Sequence, residues 1–252
     1  MKNNNLTFFI QARMKSSRLP GKVLLKFDEQ DSILSIIVSK LKLNFPQIPI
    51  VLCTSNVEED DLIEAFCSQN QIQCFRGSET NVLNRFIKAA QNYESETIVR
   101  ICADNPFLDV IFLKELIHFY ENNPNADYWS FKNSEGTPVI KTHFGLFAEI
   151  TTIEALKKVE ATTNDNLYLE HVTNFIYTNS NFKCLFKTLP NYLINREDLR
   201  FTIDDKEDFI NLQKVYSIYK QNSFSIEETI QFLDSNNDYL EKMKINIKKY
   251  SK

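Results

Sequence analysis

The chain has 252 residues, 43% of them hydrophobic and 25% charged, which is enough for one large domain with a substantial core. A formal net charge of −4 gives no global reason to bind nucleic acid or an anionic membrane. With only four glycines, a glycine-rich dinucleotide-binding loop is excluded.

No apolar run approaches ~18 residues, so no membrane span is expected. The opening MKNNNLTFFIQARM has too short an apolar core, and too early a charge, for a secretory leader. Cys53, Cys67, Cys74, Cys102 and Cys184 are scattered, odd in number and form no CxxC pair. They are expected as reduced thiols of a cytoplasmic protein, packed as small hydrophobes, and zinc is not expected.

The first element is a β-prone apolar run from Leu6 to Ile10. Arg13, Lys15, Arg18 and Lys22 follow it, interleaved with Ser16 and Ser17 and closed by Pro20-Gly21. No acidic residue lies between Met1 and Phe27, so these cations have no local ion-pair partner. A strand that empties into such a turn puts donors at its carboxyl end, where open α/β sheets bind ligands. The natural partner is a multiply charged anion, most commonly a nucleoside triphosphate. Each charge-assisted hydrogen bond is worth roughly 1.5–3 kcal/mol, against about 0–1 for an exposed ion pair. The competing reading is a solvated basic loop; the order strand, cations, Pro-Gly, strand-like Val23–Phe27 favours the binding site. It is not a Walker A loop, because Val23 follows Gly21-Lys22 and Ser16 stands where the first glycine belongs. A phosphate site here is made of side chains.

Residues 32–44 carry a helical stripe of Ile33, Ile36, Ile37 and Leu41, capped by Ser32 or Asp31. Ile50–Thr54 reads as a buried strand. Glu58–Gln69 reads as a helix with Leu62, Ile63 and Phe66 inward. Gln71–Phe75 reads as a strand, Arg76-Gly77-Ser78 as a turn, and Asn81–Tyr93 as a helix. Thr97–Cys102 is a strand and Asp109–Glu121 a helix. This alternation predicts an α/β fold with a mostly parallel, doubly wound sheet. After residue 125 the rhythm changes. Asp127–Phe131, Val139–Thr142, Phe147–Thr151, Phe182–Leu189 and Arg200–Ile203 are strand-like, with helices over 152–159, 166–179 and Lys206–Tyr219. Residues 225–250 read as polar helices broken at Asn236-Asn237. The segment LEKMKINIKKYSK is best read as a solvated helix end, with a dimer contact or a surface-bound tail as alternatives. No interdomain linker is visible, so 1–252 is taken as one domain, with 225–252 as a helical extension.

Two strand ends carry acids. In RICADNPFLD a buried strand delivers Asp104 before Pro106 stops it, and Arg100 precedes it. A carboxylate there, opposite a cationic loop, is where Mg²⁺ could bridge to phosphate oxygens, although a bare DNP is more often a turn. In LRFTIDDKEDF the helix dipole accounts for Asp205, Glu207 and Asp208, but less well for Asp204 at the strand end. Gly77 permits a tight turn or close approach to a ligand, and a capped helix start explains that segment about as well. No nucleophile elbow, kinase motif set or HExxH occurs.

IQARMKSSRLPGKVL resembles the opening signature of the cytidylyltransferases related to CMP-3-deoxy-manno-octulosonate synthetases, in the branch called spore-coat polysaccharide biosynthesis protein F. The similarity runs over about residues 6–215. It implies a nucleotide-diphospho-sugar transferase type fold and transfer of CMP from CTP to an acidic sugar or related acceptor, with Mg²⁺ as cofactor. It implies that Ala12, Arg13, Ser16, Arg18 and Lys22 bind the nucleotide, and that Arg13, Arg18, Lys22 and Asp104 are catalytic. Arg76, Gly77, Ser78, Asn81, Val82 and Arg85 are similar to the segment lining the nucleotide pocket, with Asn81 where an aspartate is usual. Asp104 and Asp204 match the metal-binding aspartates. FGLFAEITTIEAL resembles the acceptor segment, with Gly145 and Glu149 matching and Phe144 and Ala148 departing. Glu170-His171-Val172-Thr173 is similar to a further acceptor motif, with Leu169 in place of arginine. Residues 127–190 would then bind the acceptor and form a homodimer. The alternatives are a sugar-1-phosphate nucleotidyltransferase using GTP or UTP, and a non-catalytic nucleotide-binding subunit.

Overall fold

The computed structural model describes residues 6–250. Its centre is a seven-stranded sheet built from β1 (Leu6–Gln11), β4 (Ile50–Ser55), β5 (Gln73–Gly77), β6 (Thr97–Cys102), β7 (Tyr128–Lys132), β8 (Glu149–Thr152) and β9 (Cys184–Thr188). The order across the sheet is β5-β4-β1-β6-β8-β7-β9. The first four are mutually parallel, β8 runs antiparallel between β6 and β7, and β7 pairs in parallel with β9. A two-stranded ribbon, β2 (Lys26–Asp28) with β3 (Asp31–Ser32), stands apart.

Strands covered on both faces have no need of polar alternation. Phe8, Phe9 and Ile10 are therefore all fully buried, and every residue of β4 is buried. Phe8 and Ile10 face α1 (Ile33–Asn44), α2 (Asp61–Gln69), α4 (Val110–Asn122) and α8 (Lys206–Gln221). Phe9 faces α3 (Val82–Asn92), α5 (Ile153–Thr162) and α7 (Asn174–Thr178). The chain steps from β1 to β4 and β5 under α1 and α2, then returns on the other face through α3 to β6. It thus reverses direction between β1 and β6, and the crevice at their carboxyl ends is the topological switch point.

The expected α/β architecture and most of its elements are present, and the departures have local causes. The run Val23–Phe27 is not a strand along its length. Leu24 and Leu25 donate their N–H groups back to the Gly21 carbonyl at 2.9 and 3.2 Å, and only Lys26–Asp28 is extended. Leu62 is 59% exposed, unlike Ile63. β5 continues through Arg76 and Gly77 before turning. Val139–Lys141 is a 3₁₀ turn behind Pro138. The helix expected over 166–179 is two short ones, α6 (Asn166–Glu170) and α7, because buried Val172 and Thr173 pull the chain into the core between them.

Arg200–Ile203 is extended but joins no sheet. Phe201 N–H bonds the His143 carbonyl at 2.9 Å and Ile203 N–H bonds the Asp104 carbonyl at 3.1 Å. The close approach depends on Gly145, where a Cβ would lie 2.6 Å from the Phe201 backbone and φ is +61°. After α8, α9 (Ile226–Ser235) opens with a capping box between Ser225 and Glu228, and α10 (Asn237–Tyr250) follows the break at Asn236. The C-terminal segment is not a solvated end, because Leu240, Met243 and Asn246 are buried and α10 packs on α8. No helix among the described residues is long and apolar enough to cross a membrane.

Candidate active site

The loop after β1 and the turn after β6 meet at the switch point around a cavity of about 350 Å³. From the first strand it takes Ala12, Arg13, Ser16, Arg18 and Lys22; from the second, Asp104; and from farther along the chain, Asp204, Glu170 and His171. The cations are not free: each is met by a carboxylate distant in sequence. Lys22 Nζ lies 3.0 Å from Asp104 Oδ2 and also donates to the Ile203 carbonyl. Arg18 lies 2.7 Å from Asp204 Oδ1, Arg13 is 3.3 Å from Glu170, and Lys15 is 2.9 Å from Glu79. Asp104 and Asp204 thus face the same basic turn, one from the turn after β6 and the other from the segment that leads into α8.

Asp204 is held from behind. Arg200, itself fully buried, reaches Asp204 Oδ2 and Asp208 Oδ2, both at 2.7 Å. It also donates to His143 Nδ1 at 2.5 Å. A guanidinium can only donate, so the imidazole accepts at Nδ1 and carries its proton on Nε2. Burial, and then the Arg200 charge, pull the His143 pKa below its ordinary value.

A second cavity, of about 340 Å³, shares Cys102, Asp104, His171 and Asp204 with the first. Asn105, Thr142, His143 and Thr202 add hydrogen-bonding groups to its wall. Asn105 Oδ1 and Thr202 Oγ1 are buried with no partner.

Glu149 and the segment after β5 are used otherwise. Glu149 is fully buried on β8 and lines neither cavity, although Gly145, Phe147 and Ala148 before it line the second. It accepts from Arg100 at 2.5 Å, Tyr128 Oη at 2.5 Å and Thr173 Oγ1 at 2.9 Å. It anchors the β6–β8–β7 seam and orients Arg100, which does line the first cavity. Arg76, Gly77, Ser78, Asn81, Val82 and Arg85 also lie outside that lining. Arg76 clamps the Ser55 and Val57 carbonyls and the acids Asp61 and Glu64. Asn81 caps α3 through Asn84 N–H. Arg85 is 1% exposed, donates to the Ser78 carbonyl and fills the space beside Gly77, where a Cβ would lie 2.9 Å from Arg85 Cγ.

Three residues that support the site carried no sequence signal. Asp60, fully buried, accepts from Met14 N–H at 2.7 Å and from Ser55 N–H at 2.9 Å, tying the basic turn to the end of β4. Burial pushes its carboxyl up, but the hydrogen bonds from Met14 and Ser55 outweigh this and hold it below the ordinary value. Lys40 reaches across from α1 to the carbonyls of Pro106 and Leu108 at 2.9 and 3.1 Å, bracing the turn that carries Asp104. Burial lowers its pKa to about 8. Tyr250, at the end of α10, lies against Arg18. Asp60 sits in a run of acids and Lys40 among other helix lysines, so neither stands out from its neighbours.

The cations and carboxylates thus converge at the switch point, the place where open α/β sheets bind ligands. The description of the cytidylyltransferase family matches residues 7–245, and the chain belongs to that family. It is a nucleotidyltransferase. It is 33% identical over 244 residues to the spore coat polysaccharide biosynthesis protein SpsF of Bacillus subtilis, covering 93% of this chain and 96% of that one. It resembles the solved structure of a cytidylyltransferase from Leptospira borgpetersenii, with a TM-score of 0.81, 28% identity and coverage of 94% and 96% of the two chains. The structure of CMP:2-keto-3-deoxy-manno-octonic acid synthetase complexed with CTP shares the fold at a TM-score of 0.58 and 12% identity, covering 86% of this chain and 99% of that one.

Proposed function

We propose that the protein transfers CMP from CTP to a hydroxyl of a small sugar-like acceptor, releasing pyrophosphate, in the synthesis of a surface polysaccharide or glycoconjugate. The observation that carries this reading is the pairing of Lys22 with Asp104 and of Arg18 with Asp204 across the switch point. A triphosphate entering the first cavity offers Arg13, Arg18 and Lys22 a denser charge than the carboxylates do. Arg18 and Lys22 exchange their carboxylate partners for phosphate oxygens, and Asp104 and Asp204 are released at the place where the α-phosphate lies.

Those two carboxylates fit Mg²⁺, which takes one or two of them and completes its shell with phosphate oxygens and water. When bound, it would supply Lewis-acid polarisation of the phosphoryl group. The acceptor hydroxyl attacks the α-phosphorus in line and gives up its proton to water; the bond to the bridging oxygen of pyrophosphate breaks, and Arg18 and Lys22 stabilise the departing charge. Such chemistry rests on positioning and electrostatics and needs no covalent nucleophile.

The second cavity is assigned to the acceptor, because it opens on the same two aspartates. Asn105, Thr142, Thr202 and the Nε2–H of His143 suit sugar hydroxyls. Its lining contains no lysine or arginine. An acidic sugar of the kind the resemblance implies would therefore bind with its carboxylate turned away from Asp104 and Asp204. The test is pyrophosphate release from each of the four NTPs, with Mg²⁺ and a panel of acidic and neutral sugars. Release with CTP is the expected result. Release with GTP alone overturns the base assignment, and no release with any of these acceptors overturns the proposed reaction.

A further inference from the structure

The C-terminal helix does more than cover the core. Asn246 Nδ2 on α10 donates to Asp208 Oδ1 at 2.7 Å, and Lys249 Nζ lies 3.0 Å from Asp205 Oδ2. The Tyr250 hydroxyl donates to the same Asp205 oxygen at 2.5 Å. These contacts fix the ring of Tyr250 in one place. The Arg18 guanidinium carbon lies 4.4 Å from the centre of that ring, and the Arg200 guanidinium carbon 5.3 Å from it. Both guanidinium groups also grip Asp204, one on each carboxylate oxygen. The ring therefore packs against the two cations that hold Asp204.

Arg18 needs such a support. Its side chain is 44% exposed and its ion pair with Asp204 stands at the cavity mouth, where such a pair holds a long side chain weakly. An arginine loses much rotamer freedom when it is fixed. An aromatic face removes part of that freedom before the ligand arrives, and it attracts the cation without consuming any of its N–H donors. Arg18 can thus keep its place when it exchanges Asp204 for a phosphate. Tyr250 lies beyond the residues matched by the family description, which ends at 245.

We propose that Tyr250 is a positioning residue that preorganises Arg18 for the triphosphate, so that the end of the C-terminal helix sets the affinity for nucleotide. This rests on the nucleotide-site reading above. The test is calorimetric titration of the full chain with CTP and Mg²⁺, with the melting temperature of each variant measured alongside. Tyr250→Phe keeps the ring and is expected to bind within about twofold of the wild type, because the cation–π face is retained. Tyr250→Leu keeps an apolar contact but loses that face, and is expected to bind about 3–10-fold more weakly. In an Arg18→Ala background, Tyr250→Leu is expected to cost nothing further, because its effect passes through the arginine.

A Leu variant that binds CTP as tightly as the wild type overturns the proposal. So does an equal loss in the Phe and Leu variants, or a loss that simply adds to that of Arg18→Ala; either would mark a structural role for the helix. Failure of the wild type to bind CTP would overturn the nucleotide-site reading and this inference together, whereas an unchanged Leu variant removes this inference alone.

Discussion

The loop after β1 and the junction after β5 look alike in sequence. Each leaves the carboxyl end of a parallel strand with arginine, glycine and serine, and each leads towards a helix. The structure uses them differently. Arg13, Arg18 and Lys22 reach a cavity where carboxylates from far along the chain meet them. Arg76 and Arg85 are spent on backbone carbonyls and on packing. Residue type is nearly the same; position relative to the chain reversal is not. Strand β5 lies at the sheet edge, two strands away from the β1/β6 crevice. The lesson is that a cation at a strand end faces a cavity where neighbouring connections diverge and leave room between them.

The largest expected effect is at the acid side of the first region. Asp104→Asn should abolish turnover while the fold survives, as checked by circular dichroism and pyrophosphate release; near-normal turnover would move the reacting centre elsewhere. Next, Lys22→Ala should lower kcat/KM for CTP by about 10-fold or more, from the loss of about 1.5–3 kcal/mol. The matched change in the second region, Arg85→Met, should alter kcat/KM by less than about threefold, because no contact to phosphate is lost. Equal losses in the two would erase the contrast between the regions.

Asp60→Ala tests the tie between the basic turn and β4. It orphans the N–H groups of Met14 and Ser55, each at a cost of about 1–3 kcal/mol. The melting temperature should fall, and the KM for CTP should rise as the turn loosens. A lower melting temperature with unchanged KM would show that the turn is shaped by its other contacts.

The last test reads stability and not turnover: a pH dependence at Lys40. Its ammonium gives up its proton near 8 in the folded chain, below the ordinary 10.5, because burial disfavours the charge. Between those values the unfolded chain binds more protons than the folded one, so this group's contribution to stability grows as pH rises from about 8 to 10.5. Lys40→Met should remove that increment from urea-unfolding curves measured across this range. A difference between variant and wild type that does not vary with pH would show that Lys40 titrates normally.

How much could be read beforehand depended on how local the physics was. The strands Leu6–Gln11, Ile50–Ser55 and Thr97–Cys102 announce themselves through continuous apolar runs, because both faces of a parallel sheet are covered. The cap at Ser32, one of two candidates beside Asp31, follows from side-chain reach over three residues. The basic turn, Asp104 and Asp204 were legible as candidates from their unpaired local charge, and the structure brings them to one cavity.

Other features depend on contacts between residues far apart in the chain. Nothing near Arg13, Arg18 or Lys22 shows that Glu170, Asp204 and Asp104 are their partners, 157, 186 and 82 residues away. Nothing near Glu149 shows that Arg100 will claim it; the β6–β8 register decides that by setting the two opposite each other. The C-terminal residues read as solvent-facing because lysines dominate them. Their role appears only when α10 packs on α8 and brings Tyr250 to Arg18. Periodicity and local charge determined the strands, the helices and the candidate groups. The folded chain alone decided which of those groups share a cavity, because an electrostatic partner is set by distance in space and the sequence records only distance along the chain.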